Sequence, residues 1–584
     1  MSSKNKLPRK HKPAKEAQQQ QKQPAQSQPR APLVILKHIV RAAALLLIAG
    51  CASYVSQLNL SPVYGSIPSS AHHQQGMQLC TGLALLSRYQ LRNYASATIS
   101  GSIAVIAYWA PVVQYLLFQY SADLGIVWGP MIIESTTYFP FLFFSVYAAA
   151  DLLEKASSLC LGSTSSINQA APVVSYFAVA SAAKLSRVVI PSYIGTSIYF
   201  TRIGLQMLLA SAAAFLAPSR ILLLAFPAIL HTLWANPHNP SAYGLQLANS
   251  TLAATEQYSL LARRESLTGY LSVIESHDDT AFRLLRCDHS LLGGEWLVTS
   301  EAHRRGQRKP ESVFAVFVLL EAVRLIEAPT SSALRSKPDS QKSALVIGLG
   351  IGTAPNALIA HGINTTIVEL DPVVHAYATQ YFGLGPNHTA VISDAVPHVA
   401  ALSHTHPSTF DYIIHDVFTG GAEPVALFTT EFLTGLSALL TPSGSIAINY
   451  AGDLALGSTR LVLNTIHAVF PACRLFRDTP APKPDQANGS QPDFINMVIF
   501  CVKDSTATGV SFRTATAADF LGSLARANFL QPQDELEIRF DYVAGAKVMG
   551  RADVGALEGY HEKGAVSHWG IMRTVLPRRV WEMW

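Results

Sequence analysis

One stretch of the chain concentrates the residues whose types and spacing could do chemistry. Gly348-Leu349-Gly350-Ile351-Gly352-Thr353 is a glycine string, and three carboxylates follow it, Glu369, Asp394 and Asp416. Glycines without side chains let the backbone turn tightly and approach a ligand, while the amides of a following helix point at it. A carboxylate at the end of the next strand, Glu369, can accept two hydrogen bonds from a ribose diol. A dinucleotide fingerprint wants its third glycine three residues after the second. That position is Thr353, and the third glycine comes one residue earlier, at Gly352. With no Walker motif either, the spacing favours a sulfonium nucleoside over NAD.

The elements that must position these residues alternate regularly. Apolar, β-rich runs stand at 344–348, 366–370, 390–394, 412–416 and 446–450, separated by helical stretches near 354–361, 372–382, 426–440 and 458–469. This pattern predicts an α/β doubly wound, Rossmann-like parallel sheet, whose ligands sit at the carboxyl ends of the strands. In front of it, strands at 270–275, 282–287 and 295–299 predict a small antiparallel sheet, followed by an apolar helix over 311–326.

The first third of the chain is different. Overall, 49% of the 584 residues are hydrophobic and 14% charged, against roughly 25% charged in an ordinary soluble domain. Leu33–Asn236 holds nine basic residues and four acids. Runs of membrane-spanning length lie near 34–57, 97–119, 125–150 and 171–195, with a longer run at 202–234 that Pro218, Ser219 and Arg220 interrupt. The prediction is a multi-pass α-helical membrane domain of about five or six helices, with a lipid membrane as partner. Glu134 lies inside the third run; such a carboxyl is either part of a proton or cation path or a helix-facing, hydrogen-bonded or protonated residue.

The net charge of +5 is local. Residues 1–30 carry eight Lys or Arg against one acid, Glu16, so the remainder is slightly acidic. A nucleic-acid binder spreads its basic residues over a folded face, and no nucleic acid is expected as partner. By the positive-inside rule the tail, Lys37 and Arg41 put the N-terminus in the cytosol. A cytosolic donor then asks for a cytosolic catalytic domain and an even number of spans. The six cysteines are scattered, without a Cys-x-x-Cys pair, and are expected to be thiols behaving as small buried hydrophobes, with no metal site. The expected order is a disordered basic tail (1–31), a transmembrane domain (32–236), a β subdomain plus helix (243–330), a nucleoside-binding catalytic domain (340–503) and a C-terminal extension (504–584).

Residues 346–352, 368–372, 393–395, 410–417, 429–432 and 442–444 together resemble the spermidine/spermine synthase (polyamine aminopropyltransferase) family, in its membrane-fused form. The resemblance covers about residues 260–503. It implies a donor cradle of Gly348, Gly350 and Gly352, Glu369 on the ribose, Asp394 with Ala395 at the adenine, and Asp416 as the base that deprotonates an amine. The donor would be S-adenosylmethionine or its decarboxylated form, with nothing bound permanently. The acceptor would be a small-molecule amine or other nucleophile, and a homo-oligomer is left open.

The chain departs from the family at several positions. Ile351 stands where an Asp grips the donor's aminopropyl amine, and Thr419 where an Asp binds the acceptor. Asp288–Leu292 replaces an Asp-Gly-x-x-Gln turn, and no Tyr-His pair stands near Val313–Phe317. Three readings follow. One is aminopropyl transfer with Asp416 as base and Glu423 or Asp453 as substitute acceptor contacts. Another is S-adenosylmethionine-dependent methyl transfer. The third is a non-catalytic nucleoside-binding domain that regulates a membrane protein. His404 and His406 read as loop residues, His415 as pointing away from the pocket, and the aromatic stretch 568–584 as packing or docking without a chemical role.

Overall fold

The computed structural model describes residues 31–91, 96–161, 170–278, 280–327, 337–417, 424–480, 494–504, 509–542 and 545–584. The basic tail, Thr419 and Glu423 therefore lie outside the described residues.

Apolar composition with few charges produces a helical half. Four of its helical segments, 32–64, 99–118, 121–160 and 171–193, are long and apolar enough to cross a membrane by length and composition. The first helix, Ala31–Tyr64, docks its Tyr64 end on the rest of the protein: Arg286 donates to Pro62 O and Trp569 Nε1 to Val63 O. His73–Leu91 runs away from that end, and Arg88 pairs with Glu154 beyond it. Ser96–Phe118 returns, 121–161 leaves, Ala171–Val189 returns, Arg202–Leu216 leaves, and 220–234 returns to meet Trp584 through His238. The described helices thus make seven traverses where the sequence suggested five or six. The additional one is His73–Leu91, in which His73, Gln74, Gln75, Gln78 and Arg88 dilute the apolar residues. The interruption at Pro218–Arg220 is present as a turn between two short helices.

Glu134 has a basic partner that the sequence did not disclose. His73 Nδ1 lies 2.6 Å from Glu134 Oε1, in the buried interior.

The small sheet is antiparallel with five strands, β1 (Tyr258–Ser266), β2 (Gly269–Ser276), β3 (Phe282–Cys287), β4 (Ser290–Trp296) and β5 (Glu311–Ser312), in sequence order. The expected strand over 295–299 is shifted to β4, because Asp288 takes a positive φ and closes a tight β3–β4 turn. The expected helix over 311–326 is also corrected. It opens as β5, then forms a short helix Ala315–Leu319 and a 3-10 turn Leu320–Leu325, buried almost throughout.

The large sheet has eight strands in the order β13-β11-β12-β10-β9-β6-β7-β8. β6 (Ser343–Ile347), β7 (Asn364–Glu369), β8 (His388–Ile392), β9 (Phe410–His415) and β10 (Leu440–Asp453) form its parallel part. β6 and β9, in the middle, are apolar because helices cover both faces, whereas β8 at the edge is largely exposed. β11 (Ala472–Arg477) and β12 (Phe494–Val502) follow, with β12 inserted antiparallel between β10 and β11, and β13 (Glu537–Ile538) at the edge. The architecture is the Rossmann-like methyltransferase fold.

β11 and β12 overturn the expectation for two cysteines. Cys473 and Cys501 face each other across the antiparallel pair, Cα atoms 4.2 Å apart, and form a disulfide. They are 28 residues apart in sequence, so only strand register joins them. Cross-linking a loop of that length stabilises by roughly 3–4 kcal/mol on the chain-entropy model. Replacing both by Ser is expected to lower the denaturation midpoint, and reductant is expected to lower it only in the wild type.

The aromatic C-terminus packs between the two halves. Trp581 and Trp584 are buried, and Trp584 lies against Phe118, His238 and Tyr270. Arg202 crosses the same boundary to Glu265 and Asp288.

Candidate active site

The glycine string leaves β6 and turns with positive φ at Gly348, Gly350 and Gly352. Any side chain at Gly348 would meet Asp416 O, and one at Gly350 would meet Leu292 O, at 2.1 and 2.5 Å. These two glycines let the loop pass between the last residues of β9 and the small sheet. The helix Thr353–Ala360 starts immediately after.

Glu369 ends β7 beside the loop. Its Oε2 accepts from Leu349 N at 3.0 Å and its Oε1 from Asp371 N at 2.8 Å. Each oxygen keeps a further lone pair for a ribose hydroxyl. Burial pushes this carboxyl up to about 7, opposed by those amide bonds. Asp394 caps the helix Ala395–Thr405 through Oδ1, which accepts from Val396 N, while Ala395 beneath it is buried. Leu370 and Ile392, at the ends of β7 and β8, are each 45% exposed. Two uncovered apolar side chains beside a carboxylate suit the faces and amino edge of an adenine, so the residues present fit the nucleoside end of S-adenosylmethionine.

Asp416 follows β9 on the other side of the loop. Its Oδ1 accepts from Asn449 Nδ2 at 2.8 Å, and burial pushes the carboxyl up to about 6. Asn449 Oδ1 has no partner among the described residues. Asp416, Asn449 and Asn496 line a cavity of about 180 Å³ with Gly350, Leu292, Phe314, Phe317 and, from the C-terminal helix Glu558–Val575, His568, Ile571 and Met572. Burial pushes His568 down to about 4, which keeps its ring neutral.

The structure therefore brings Gly350 and Asp416 to one cavity, and Glu369 to the glycine loop beside it. Asp394 and Ala395 stand at the neighbouring strand end. Asp453 is not in the cavity wall; its Oδ1 accepts from Ala455 N. Ile351 is buried against Gly293, in an apolar seat. His415 turns the other way, against Phe428 and Phe432. His404 closes the exposed end of its helix, and no metal-binding group of His, Cys, Asp or Glu exists among the described residues.

Sequence reasoning missed Asn449, Asn496 and His568. A signal existed for Asn449, a polar residue near the end of an apolar strand. Asn496 lies on a strand that was not foreseen, and His568 lies 152 positions beyond Asp416. The same helix touches the helical half on its other side, where Arg573 donates to Ser121 Oγ at 2.9 Å.

Residues 327–476 match the family model for the spermine/spermidine synthase domain. The N-terminal histidine N-methyltransferase of Emericella nidulans is 43% identical over 558 residues, 94% of this chain and 98% of that protein. A polyamine aminopropyltransferase of Vibrio vulnificus is 36% identical over 109 residues, covering 18% of this chain and 36% of that enzyme. A probable spermidine synthase structure from Corynebacterium glutamicum has 18% identity and a TM-score of 0.33, over 48% of this chain and 96% of that one. The likeness to aminopropyltransferases is thus confined to the domain, whereas the likeness to the methyltransferase runs nearly end to end. The chain belongs to the family of the Emericella nidulans N-terminal histidine N-methyltransferase, and it is a transferase that takes S-adenosylmethionine as donor.

Proposed function

We propose that the protein methylates a ring nitrogen of the N-terminal histidine of a polypeptide. The observation that carries this reading is the cavity wall. Among the described residues it holds one carboxylate, Asp416, between two amides and a neutral His568, with apolar side chains elsewhere. A polyamine carries several ammonium groups and needs several carboxylates, and Ile351 offers none to an aminopropyl donor. A single flat ring with one N–H to give suits these walls better.

S-adenosylmethionine supplies the methyl group. The imidazole presents one nitrogen to the methyl carbon and donates its other N–H to Asp416, which selects the reactive tautomer. The nitrogen lone pair forms the new C–N bond while the methyl–sulfur bond breaks, its electrons staying on sulfur. The ring becomes cationic, and its remaining N–H proton passes to Asp416. A carboxyl near 6 is ionised at neutral pH and matched to a proton coming from an imidazolium.

The test uses the full-length protein in detergent, S-adenosylmethionine and synthetic peptides. A peptide beginning with His is expected to gain one methyl group, and the same peptide preceded by Ala to gain none. Transfer to putrescine from decarboxylated S-adenosylmethionine, without peptide methylation, would refute the proposal.

The first helix supports a location for the catalytic domain. At 1.5 Å per residue its 34 residues extend about 50 Å, longer than the roughly 30 Å hydrocarbon core of a bilayer. Its tail end and its catalytic-domain end are opposite ends. If the basic tail is cytosolic, the catalytic domain lies on the far side of the membrane, contrary to the expectation of an even span count. The Cys473–Cys501 disulfide supports that orientation, since such bonds persist in oxidising compartments. In sealed vesicles with the cytosolic face outward, protease is expected to remove the tail and spare the C-terminus. Loss of the C-terminus would reverse the assignment.

A further inference from the structure

Glu134 and His73 belong to a cluster that methyl transfer does not use. Glu134 Oε1 receives His73 Nδ1 at 2.6 Å and Ser56 Oγ at 2.8 Å, and His73 Nε2 meets Ser53 Oγ at 2.7 Å. Ser53, Ser56, His73 and Glu134 come from three different helices, and all are at most 4% exposed. Tyr138 stacks on the His73 ring with centroids 5.2 Å apart.

The charge of this cluster depends on one proton. A neutral imidazole beside a carboxylate leaves a net charge of −1 in an apolar bundle, which is strongly unfavourable. One added proton, taken up at the Glu134 carboxyl, makes the pair neutral overall. No other ionised side chain touches the pair among the described contacts: Arg187 of the Ala171–Val189 helix is taken by Gln57 Oε1 at 3.2 Å. Cys80 and Tyr138, the other titratable groups packed nearby, donate hydrogen bonds to the Phe139 and Ala49 carbonyls.

A second feature shows how such a proton is reached. Ser56 and Tyr138 line a cavity of about 40 Å³, shared with Thr137, Gln114 and Gln206. That is room for roughly two or three waters by the volume each requires. Gln206 Nε2 donates to Gln114 Oε1 at 2.8 Å, but Gln206 Oε1 is buried at this wall with no partner among the described residues. A water between Ser56 and Gln206 would satisfy it. One turn beyond Gln206 on the same helix stands Arg202, paired with Glu265 and Asp288 of the catalytic half. Polar groups thus continue from the cluster to the domain boundary through an otherwise apolar bundle.

We propose that Ser53, His73 and Glu134 form an exchangeable proton-binding site inside the helical half, reached by water through the cavity between Ser56 and Gln206. The ligand is a proton and not a metal ion, since Glu134 supplies the site's sole carboxylate. The serine–histidine–acid order is also that of a hydrolytic nucleophile. Ser53, however, sits within a continuous helix whose backbone amides are already bonded, so no donors converge on an oxyanion.

The test is infrared difference spectroscopy on the full-length protein in lipid nanodiscs, comparing H₂O with D₂O. A protonated-carboxyl band is expected that shifts in D₂O, is absent in Glu134→Gln, and changes frequency in Ser56→Ala and His73→Gln. Ser56→Ala removes one hydroxyl and is the variant least able to disturb folding. Gln206→Leu, which fills the cavity, is expected to slow the deuterium shift at least about tenfold. A Glu134→Gln spectrum superimposable on the wild type would overturn the proposal. So would labelling of Ser53 by a fluorophosphonate, which would make it a nucleophile.

Discussion

Replacing Asp416 with Asn is expected to lower turnover by about 10²–10⁴-fold, the usual worth of a general base, with little change in S-adenosylmethionine affinity. Asn preserves the volume and can still accept from Asn449 Nδ2, so the cavity keeps its shape. It cannot take a proton from the methylated ring, nor carry the charge that steadies the ring cation. The loss should therefore fall on kcat. A pH profile separates this from a structural effect. Because burial holds the carboxyl up near 6, the ionised form that accepts the proton is depleted as pH falls through that value. Wild-type activity should drop on the acid side of about 6, and the residual activity of the Asn variant should lack that limb. An unchanged acid limb in the variant would assign the titration to the acceptor histidine.

Glu369→Ala is expected to weaken S-adenosylmethionine binding by about 10²–10³-fold, measured by calorimetry on the full-length protein. A hydrogen bond to a charged group contributes about 1.5–3 kcal/mol, and a ribose diol would make two. The same substitution strips the acceptors from Leu349 N and Asp371 N, so the glycine loop itself loses an anchor. Glu369→Gln is the control, because it keeps the side-chain shape and an acceptor for one amide while removing the charge and the second acceptor. Since burial raises this carboxyl to about 7, the ionised form that accepts from both hydroxyls is fully present only above that pH. Donor affinity of the wild type should therefore tighten as pH rises through 7, and affinity of the Gln variant should not. Equal binding by wild type and Glu369→Ala would remove the ribose from this position.

Much of the catalytic half was legible because its signals are local. A parallel strand buried on both faces must be apolar, a helix must follow, and the glycines must sit where the chain turns. Strand positions within 343–453 consequently agree with the structure to within a few residues, the last strand alone extending well beyond its predicted run. Where polarity and burial diverge, the reading failed. His73–Leu91 is too polar to be recognised as part of a helical bundle, yet its His73 is buried against Glu134. The 311–326 segment is apolar enough to resemble one long helix, but its first residues join the small sheet as β5.

The sequence by itself located the candidate donor residues. Gly348, Gly350, Gly352, Glu369 and Asp394 are tied to strand ends that alternation finds, where a sheet of this kind holds its ligands, and Asp416 stands at the next such end. Only the tertiary structure decided the acceptor end. Asn449 and Asn496 meet because β12 inserts beside β10 in a particular register, and His568 joins them because the C-terminal helix is pressed onto the cavity from the helical half. The same register joins Cys473 to Cys501, and the first helix docks on the catalytic half by its Tyr64 end, opposite Ala31. Contacts between residues far apart in sequence leave no periodic trace in it, and only packing brings them together.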